Sequence, residues 1–175
     1  MTALALALAL AAGLGAPEPR DKPASIAAGA PASWPRVPLL ERIVVPAPPG
    51  FDRDQRPLGA RAAMLSLTDG SDTVVVSVYS DGAPDALRIH REELQKAIGA
   101  GPSTATSRRF LGKRRQAERL SSLFEGAEIE AEVTAADLGS RTVVVTFVRV
   151  KGGPNTTTID QIVAGVALDP RGKVP

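Results

Sequence analysis

Cysteine is absent from the 175-residue sequence. This absence excludes thiol catalysis, disulfide bonds, a cysteine-based zinc site and lipid attachment to an N-terminal cysteine. It leaves the cellular compartment open, because a protein without disulfides can work on either side of a membrane.

Aromatic residues are scarce, at 3% of the chain, so Val, Leu and Ala must form most of the core. The hydrophobic content of 43% and the charged content of 23% are typical of a globular protein. A chain of this length fits one domain, with room for a tail. The net charge is only +2, so basicity matters only where it is concentrated.

Catalytic motifs are also missing. The sequence has no G-x-S-x-G, G-x-x-x-x-G-K-[ST] or G-x-G-x-x-G pattern. His90 is the only histidine; beside Arg91 and Glu92 it is typical of a solvated or ion-paired residue on a helix surface. A general base at His90, assisted by Glu92 or Glu93, is the enzymatic alternative. We therefore expect a non-enzyme, with no cofactor and no metal site.

The longest apolar run lies at the N-terminus, where residues 3–12 contain only Ala and Leu. This length matches the core of a signal peptide and is too short for a transmembrane span. The expected signal peptide covers residues 1–16, although no Lys or Arg precedes the run and Pro17 suits cleavage poorly. A mis-set start codon or an Ala/Leu-rich tail is the alternative.

Proline is concentrated after this run, with nine of the fifteen prolines between Pro17 and Pro49. Repeated proline prevents a regular helix, so residues 17–37 are predicted to form a linker. Trp34 is interpreted as a structural anchor that docks on the domain. A single domain is predicted over residues 38–175.

The folded part begins with a predicted β-hairpin. Residues 62–67 are apolar, residues 68–72 have Asp-Gly turn chemistry, and residues 73–79 alternate as a half-buried strand. Asp69 and Asp72 supply too few oxygen ligands for a calcium loop, so this stretch is predicted to be a turn.

A helix is predicted from Pro84 to the stop at Gly99, with Leu87, Leu94 and Ile98 on one face. In the alternative, residues 86–90 form a strand that pairs with residues 73–79, and the helix starts at Arg91.

Three later segments have strand composition, and glycine and proline in residues 151–155 predict a hairpin loop between the last two. These segments are residues 127–133, 142–150 and 159–168. The element order predicts an α+β fold: a largely antiparallel sheet of about five or six strands with two helices on one face.

The second helix is predicted over residues 107–124, capped by Ser107. At 100° per residue its apolar side chains share one arc, formed by Phe110, Ala117, Leu120 and Phe124. The opposite side carries an arginine stripe, formed by Arg108, Arg115 and Arg119. Lys113 falls outside this pattern, and Gly112 weakens the helix near its start.

This basic segment has two interpretations. In the functional one, its cations bind phosphates; the candidate residues are Arg108, Arg109, Arg114, Arg115 and Arg119. In the structural one, the arginines lie in water and pair with nearby acids, namely Glu118, Glu125, Glu128 or Glu130. The second is favoured, because no aromatic residue interleaves with the cations and no nucleic-acid-binding signature accompanies them.

The order of strand pair, helix and three strands, preceded by "VVPAPPGF", resembles exported domains of the Mog1/PsbP-like kind. Residues 62–138, with "RRFLGKRRQAERL" and "VTAADL", resemble small bacterial domains of unknown function. The matched residues occupy packing and turn positions, so no functional residue is carried over and no family is assigned.

The sequence predicts a non-catalytic binding or interaction domain exported to the bacterial cell envelope, periplasmic or secreted. Its expected partner is a protein or an envelope component of unknown identity. The alternative is a cytoplasmic nucleic-acid-associated protein that uses the basic helix at residues 107–124.

Overall fold

The computed structural model describes residues 29–169. In this range the chain forms two sheets, two α-helices and one 3-10 helix at Leu40–Arg42. The helices are α1 (Ala86–Ile98) and α2 (Thr156–Gly165). The strands are β1 (Arg36–Pro38), β2 (Ile43–Pro46), β3 (Asp52–Pro57), β4 (Ala62–Thr68), β5 (Thr73–Tyr79), β6 (Thr104–Phe110), β7 (Lys113–Phe124), β8 (Ala127–Asp137), β9 (Thr142–Val150) and β10 (Ala167–Leu168).

The main sheet has seven antiparallel strands in the order β3-β4-β5-β9-β8-β7-β6. It consists of two meanders, β3–β4–β5 and β6–β7–β8–β9, whose last strands meet at the centre of the sheet. There Val76 lies opposite Val145. Helix α1 carries the chain from the centre to the far edge, where β6 begins the second meander.

The two helices cover opposite faces of this sheet. On the α2 face, Ile159 and Ile162 pack against a core that includes Val76, Val145 and Phe147. On the α1 face, the helix residues Ala86 and Leu94 pack against strand residues that include Leu120, Val133 and Val144.

The α+β class and the antiparallel sheet are therefore confirmed, while the sheet has more strands than predicted. The placement of both helices on one face is wrong. Strand β9 is buried at eight successive positions, so it needs apolar cover on both sides. Strand β5 is likewise buried on both faces, rather than half-buried, because Val75 and Ser77 are covered as well as Val74 and Val76.

The predicted hairpin and the helix that follows it are confirmed as β4–β5 and α1. The predicted helix at 107–124 is wrong, because this segment forms most of β6 and all of β7. Phe110 and Ala117 are buried on the α2 face, and Leu120 is buried on the α1 face. Because the buried residues of the hairpin switch from one face of the sheet to the other, their spacing in the sequence happens to match that of one face of a helix. Ser107 is accordingly a residue within β6 and not a helix cap.

Strands β8 and β9 confirm the predicted strands at 127–133 and 142–150. The predicted strand at 159–168 is wrong, because most of it forms α2 and only Ala167–Leu168 is a strand. Residues 151–155 therefore lead from β9 into a helix instead of closing a hairpin.

The smaller sheet, β1-β2-β10, joins the two ends of the described chain. β1 begins at Arg36, two residues before the predicted start of the domain, and Trp34 packs against the main core. The predicted signal peptide and the linker up to residue 28 lie outside the described residues. Neither α1 nor any other helix within residues 29–169 has the length and hydropathy of a membrane span.

Candidate binding site on the basic hairpin

A two-residue turn builds the β6–β7 hairpin. Leu111 and Gly112 both have positive φ, at 48° and 73°, as a type I′ turn requires. The turn fixes Phe110 opposite Lys113, and the register then places Arg108 opposite Arg115 and Arg109 opposite Arg114. Since side chains alternate along a strand, the predicted phosphate-binding arginines are divided between two faces. Arg108, Arg115 and Arg119 lie on the α2 face, and Arg109 and Arg114 lie on the α1 face.

Arg108 and Arg119 belong to a closed ring of six alternating charges on the α2 face, which we call the ion-pair ring. Its members, in order, are Arg108, Glu132, Arg119, Glu130, Arg149 and Asp160. Asp160 Oδ1 accepts from Arg108 at 2.8 Å and from Arg149 at 3.2 Å. The ring therefore connects four strands of the sheet to α2.

The ion-pair ring is largely shielded from water. The side chains of Glu132 and Arg149 are 2% and 7% exposed. The guanidinium carbons of Arg108 and Arg149 lie 5.0 and 4.8 Å from the ring centroid of Phe147, within cation–π distance. Burial lowers the pKa of Arg108, but hydrogen bonds and attraction from Glu132 and Asp160 outweigh it and raise the pKa overall. Arg108 and Arg119 thus have structural partners.

A hollow opens on the α1 face near the turn of the same hairpin. Its volume is about 410 Å³, and its lining residues are Ser107, Arg109, Gly112 and Arg114. Arg114 Nε donates to Ser107 Oγ at 2.6 Å. Arg109 is exposed and lies directly opposite Arg114, an arrangement of like charges that destabilises a strand pair. Among the described residues, no acidic side chain lines the hollow.

Four cations at this end of the hairpin lack an acidic partner within the described part of the chain. They are Arg109, Lys113, Arg114 and Arg115. Arg115 is half-buried on the α2 face, and its Nε atom is buried without a hydrogen-bond partner. We call residues 107–116 the hairpin end. They extend beyond the pairing of β7 with β8, which stops at Ala117.

Comparison with known proteins gives no family. No protein-family model matches the chain, and no curated protein matches it. A crystal structure of a protein from Bacteroides thetaiotaomicron is similar with a TM-score of 0.49 and 14% identity, over 75% of this chain and 47% of that one. This chain therefore spans less than half of that protein. The Ran-binding protein Mog1p of Saccharomyces cerevisiae has a TM-score of 0.46 and 13% identity, over 76% of this chain and 87% of that one.

His90 lies under α1 and not on its surface, so the prediction of a solvated or ion-paired histidine is wrong. It is 5% exposed, and its Nε2 is hydrogen-bonded to Tyr79 Oη at 2.8 Å. Burial lowers the pKa of His90 to about 4, so the imidazole is neutral at pH 7. Burial, followed by the charge of Glu93, raises the pKa of Tyr79. Glu92 is exposed and pairs with Arg88 and Arg91 instead of His90.

The turn predicted at residues 68–72 is confirmed. Asp69 Oδ1 accepts the backbone N–H groups of Ser71 and Asp72, as in an Asx turn. Asp72 is buried and accepts from the backbone of Val150 and from the amide of Asn155. Burial raises its pKa. Within residues 29–169 no group of three or more side chains is arranged to hold a metal ion.

The predicted pairing of the cations with acids is confirmed for Arg119, which bonds Glu130. Glu118 and Glu128 pair elsewhere, with Arg91 and Lys151. The sequence interpretation did not include Glu132 or Asp160 among the partners. Glu132 could have been found from the sequence, because alternation along the predicted strand places it on the same face as Glu130. Asp160 has no such signal in the sequence, because the composition of residues 159–168 predicts a strand and not the helix that carries this residue.

Proposed function

We propose that this protein is a non-catalytic interaction domain that binds an acidic segment of a partner protein through the hairpin end. The observation that carries the proposal is the set of four cations without an acidic partner: Arg109, Lys113, Arg114 and Arg115. Two of them, Arg109 and Arg114, are cross-strand neighbours that line an open hollow, and their repulsion has a cost in stability that a bound carboxylate would relieve.

A protein segment fits this surface better than a nucleic acid does. The three arginines of the predicted stripe do not form a basic surface for a nucleic acid, because Arg108 and Arg119 are neutralised in the ion-pair ring. The only aromatic residue of the hairpin end, Phe110, is fully buried and cannot stack on a base. Nucleic-acid binding would therefore rest on phosphate contacts to a few side chains alone.

The proposal is tested by binding of a fluorescent, capped peptide of alternating glutamate and threonine, about eight residues long as suits one strand. We expect anisotropy to rise on addition of the protein, and the affinity to fall as salt is raised from about 50 to about 300 mM. In the double variant Arg109→Glu/Arg114→Glu the affinity should fall by at least about tenfold.

The matched control is Arg53→Glu/Lys96→Glu, which changes the net charge equally at exposed residues of β3 and α1, outside the hairpin end. Its affinity for the peptide should stay within about twofold of the wild type. An equal loss of peptide affinity in both variants would show that the net charge alone determines binding, and would contradict a defined site at the hairpin end. Tighter binding of a DNA duplex or single strand than of the peptide, lost in the first variant only, would favour the nucleic-acid alternative.

We further propose that the domain works in the bacterial cell envelope, on the support of the Ala/Leu-rich run at residues 1–16 and the proline-rich segment after it. The mass of the protein purified from its native host tests this. Removal of about the first sixteen residues is expected for a cleaved signal peptide. An intact Met1 in a cytosolic fraction would rule out export.

A further inference from the structure

Strand β6 forms one edge of the seven-stranded sheet, and no strand within residues 29–169 pairs with its outer side. A two-residue hairpin makes Phe110 and Lys113 a hydrogen-bonded pair, and the pattern then repeats at every second residue. The backbone groups of Thr104, Thr106 and Arg108 consequently point to β7. Those of Ala105, Ser107 and Arg109 point away from the sheet. The outward backbone groups thus belong to the residues whose side chains lie on the α1 face, beside the hollow.

The opposite edge, β3, is protected against strand pairing in ways that β6 is not. β3 is exposed at every position, ends at Pro57, and carries charges of both signs, including the pair Asp54–Arg56. Proline and mixed charges are common means of blocking an edge. β6 contains no proline, and its register with β7 runs without a break. Its only charges are Arg108, neutralised in the ion-pair ring, and Arg109.

We propose that the acidic partner binds as an added β-strand along β6, with its acidic side chains on the α1 face against Arg109 and Arg114. This inference rests on the proposed function and specifies how the partner binds. The backbone of β6 would supply sequence-independent hydrogen bonds, and the two guanidinium groups would select acids at alternate positions. Ser107 lies midway along the edge, and its N–H is one of the outward donors.

A second copy of the chain suits this edge less well than an acidic segment does. Two β6 strands paired edge to edge would bring two sets of Arg109 and Arg114 onto neighbouring strands of one face. Like charges so placed repel, and none of the residues that line the hollow in the described part of the chain is an acid that could offset them. Charge complementarity therefore favours an occupant rich in Glu or Asp.

The glutamate–threonine peptide tests the proposal in two N-methylated forms, one methylated at every glutamate and the other at every threonine. An antiparallel added strand turns the N–H groups of its glutamates toward β6, whereas a parallel one turns those of its threonines. We expect one form to lose at least about tenfold in affinity and the other to stay within about threefold of the parent peptide. The form that fails identifies the orientation.

Two variants of Ser107 test the protein side of the ladder. Ser107→Pro removes the outward N–H, and a proline is tolerated on an edge strand where that group faces solvent. Ser107→Ala removes the same hydroxyl and keeps the N–H, so it is the matched control. We expect about a tenfold loss of peptide affinity with proline and less than about a twofold loss with alanine, with both variants showing wild-type circular dichroism.

Retention of affinity by both methylated peptides, or loss by both, would overturn strand addition while leaving the proposed acidic partner in place. Failure of the unmethylated peptide to bind the wild type would overturn the proposed function itself. A wild-type dimer in sedimentation that Ser107→Pro dissociates and Ser107→Ala preserves would assign the edge to a second copy and contradict the proposal.

Discussion

His90 shows how a single side chain is fixed by the helix that carries it. Its neighbours along the chain, Arg91 and Glu92, are charged and suggest a wet surface. The helical period instead groups His90 with Ala86 and Leu94, one turn before and one turn after, and all three are buried. The position of the imidazole was therefore predictable from spacing. Its hydrogen bond to Tyr79 was not, because that residue comes from a separate strand.

Burial of His90 predicts a dependence of stability on pH. The pKa of about 4 in the folded protein lies below the usual value of 6.5, so the unfolded chain takes up the proton first as the pH falls. His90 should therefore lower the free energy of unfolding by about 3 kcal/mol between pH 7 and pH 4, mostly below pH 6.5. Urea unfolding of the wild type and of His90→Gln across this range measures the difference, because the variant keeps a hydrogen-bonding group for Tyr79. Parallel pH curves for the two proteins would contradict this assignment.

At the scale of elements, the ion-pair ring adds side-chain contacts that link β6 and β7 to β8, β9 and α2. Glu132 is its most buried member and bonds both Arg108 and Arg119. We expect Glu132→Gln to lower the free energy of unfolding by about 3 kcal/mol, because it leaves two arginines short of a counter-charge in a shielded site.

Glu128→Gln, the same change at an exposed position of β8, is the control for this prediction. Glu128 pairs with Lys151 in an exposed site, where both side chains are more than half accessible. Glu128→Gln should cost less than about 1 kcal/mol, as is usual for surface pairs. Urea unfolding of both variants measures the difference, and equal effects would show that the ring adds nothing beyond a surface pair.

The two errors in secondary structure have different physical causes. In residues 107–124, apolar side chains fall on a helical arc by coincidence, because the hairpin buries Phe110 on one face and Leu120 on the other. Gly112, which disagreed with a helix, was the informative residue, since with Leu111 it forms a two-residue turn. In α2, the spacing of Ile159, Ile162 and Val163 is helical, and Val166 follows directly after the helix. Their β-branched composition concealed it.

For the whole molecule, the sequence predicted the α+β class, the first hairpin, α1 and two of the later strands, because each depends on contacts between residues close in the chain. It did not predict that the helices take opposite faces. That placement depends on β5 and β9 meeting at the centre of the sheet, which no local pattern encodes.

The candidate site shows the same limit. The five candidate arginines were visible as a cluster, but the partners that neutralise Arg108 and Arg119 come from β8 and, for Arg108, also from α2. Only the assembled sheet shows which of these arginines have no acidic partner among the described residues.

The division of the main sheet into two meanders has a consequence for how the chain folds. Each meander is built from neighbouring segments and closes only short loops, so it can form early at a small entropic cost. The β5–β9 pairing joins residues as distant in sequence as Val76 and Val145, so its loop-closure cost is smaller once the intervening chain has ordered. We therefore expect docking of the two halves along this seam to be the slow step of folding. Until then, the valine-rich borders of β5 and β9 are open to association with other chains.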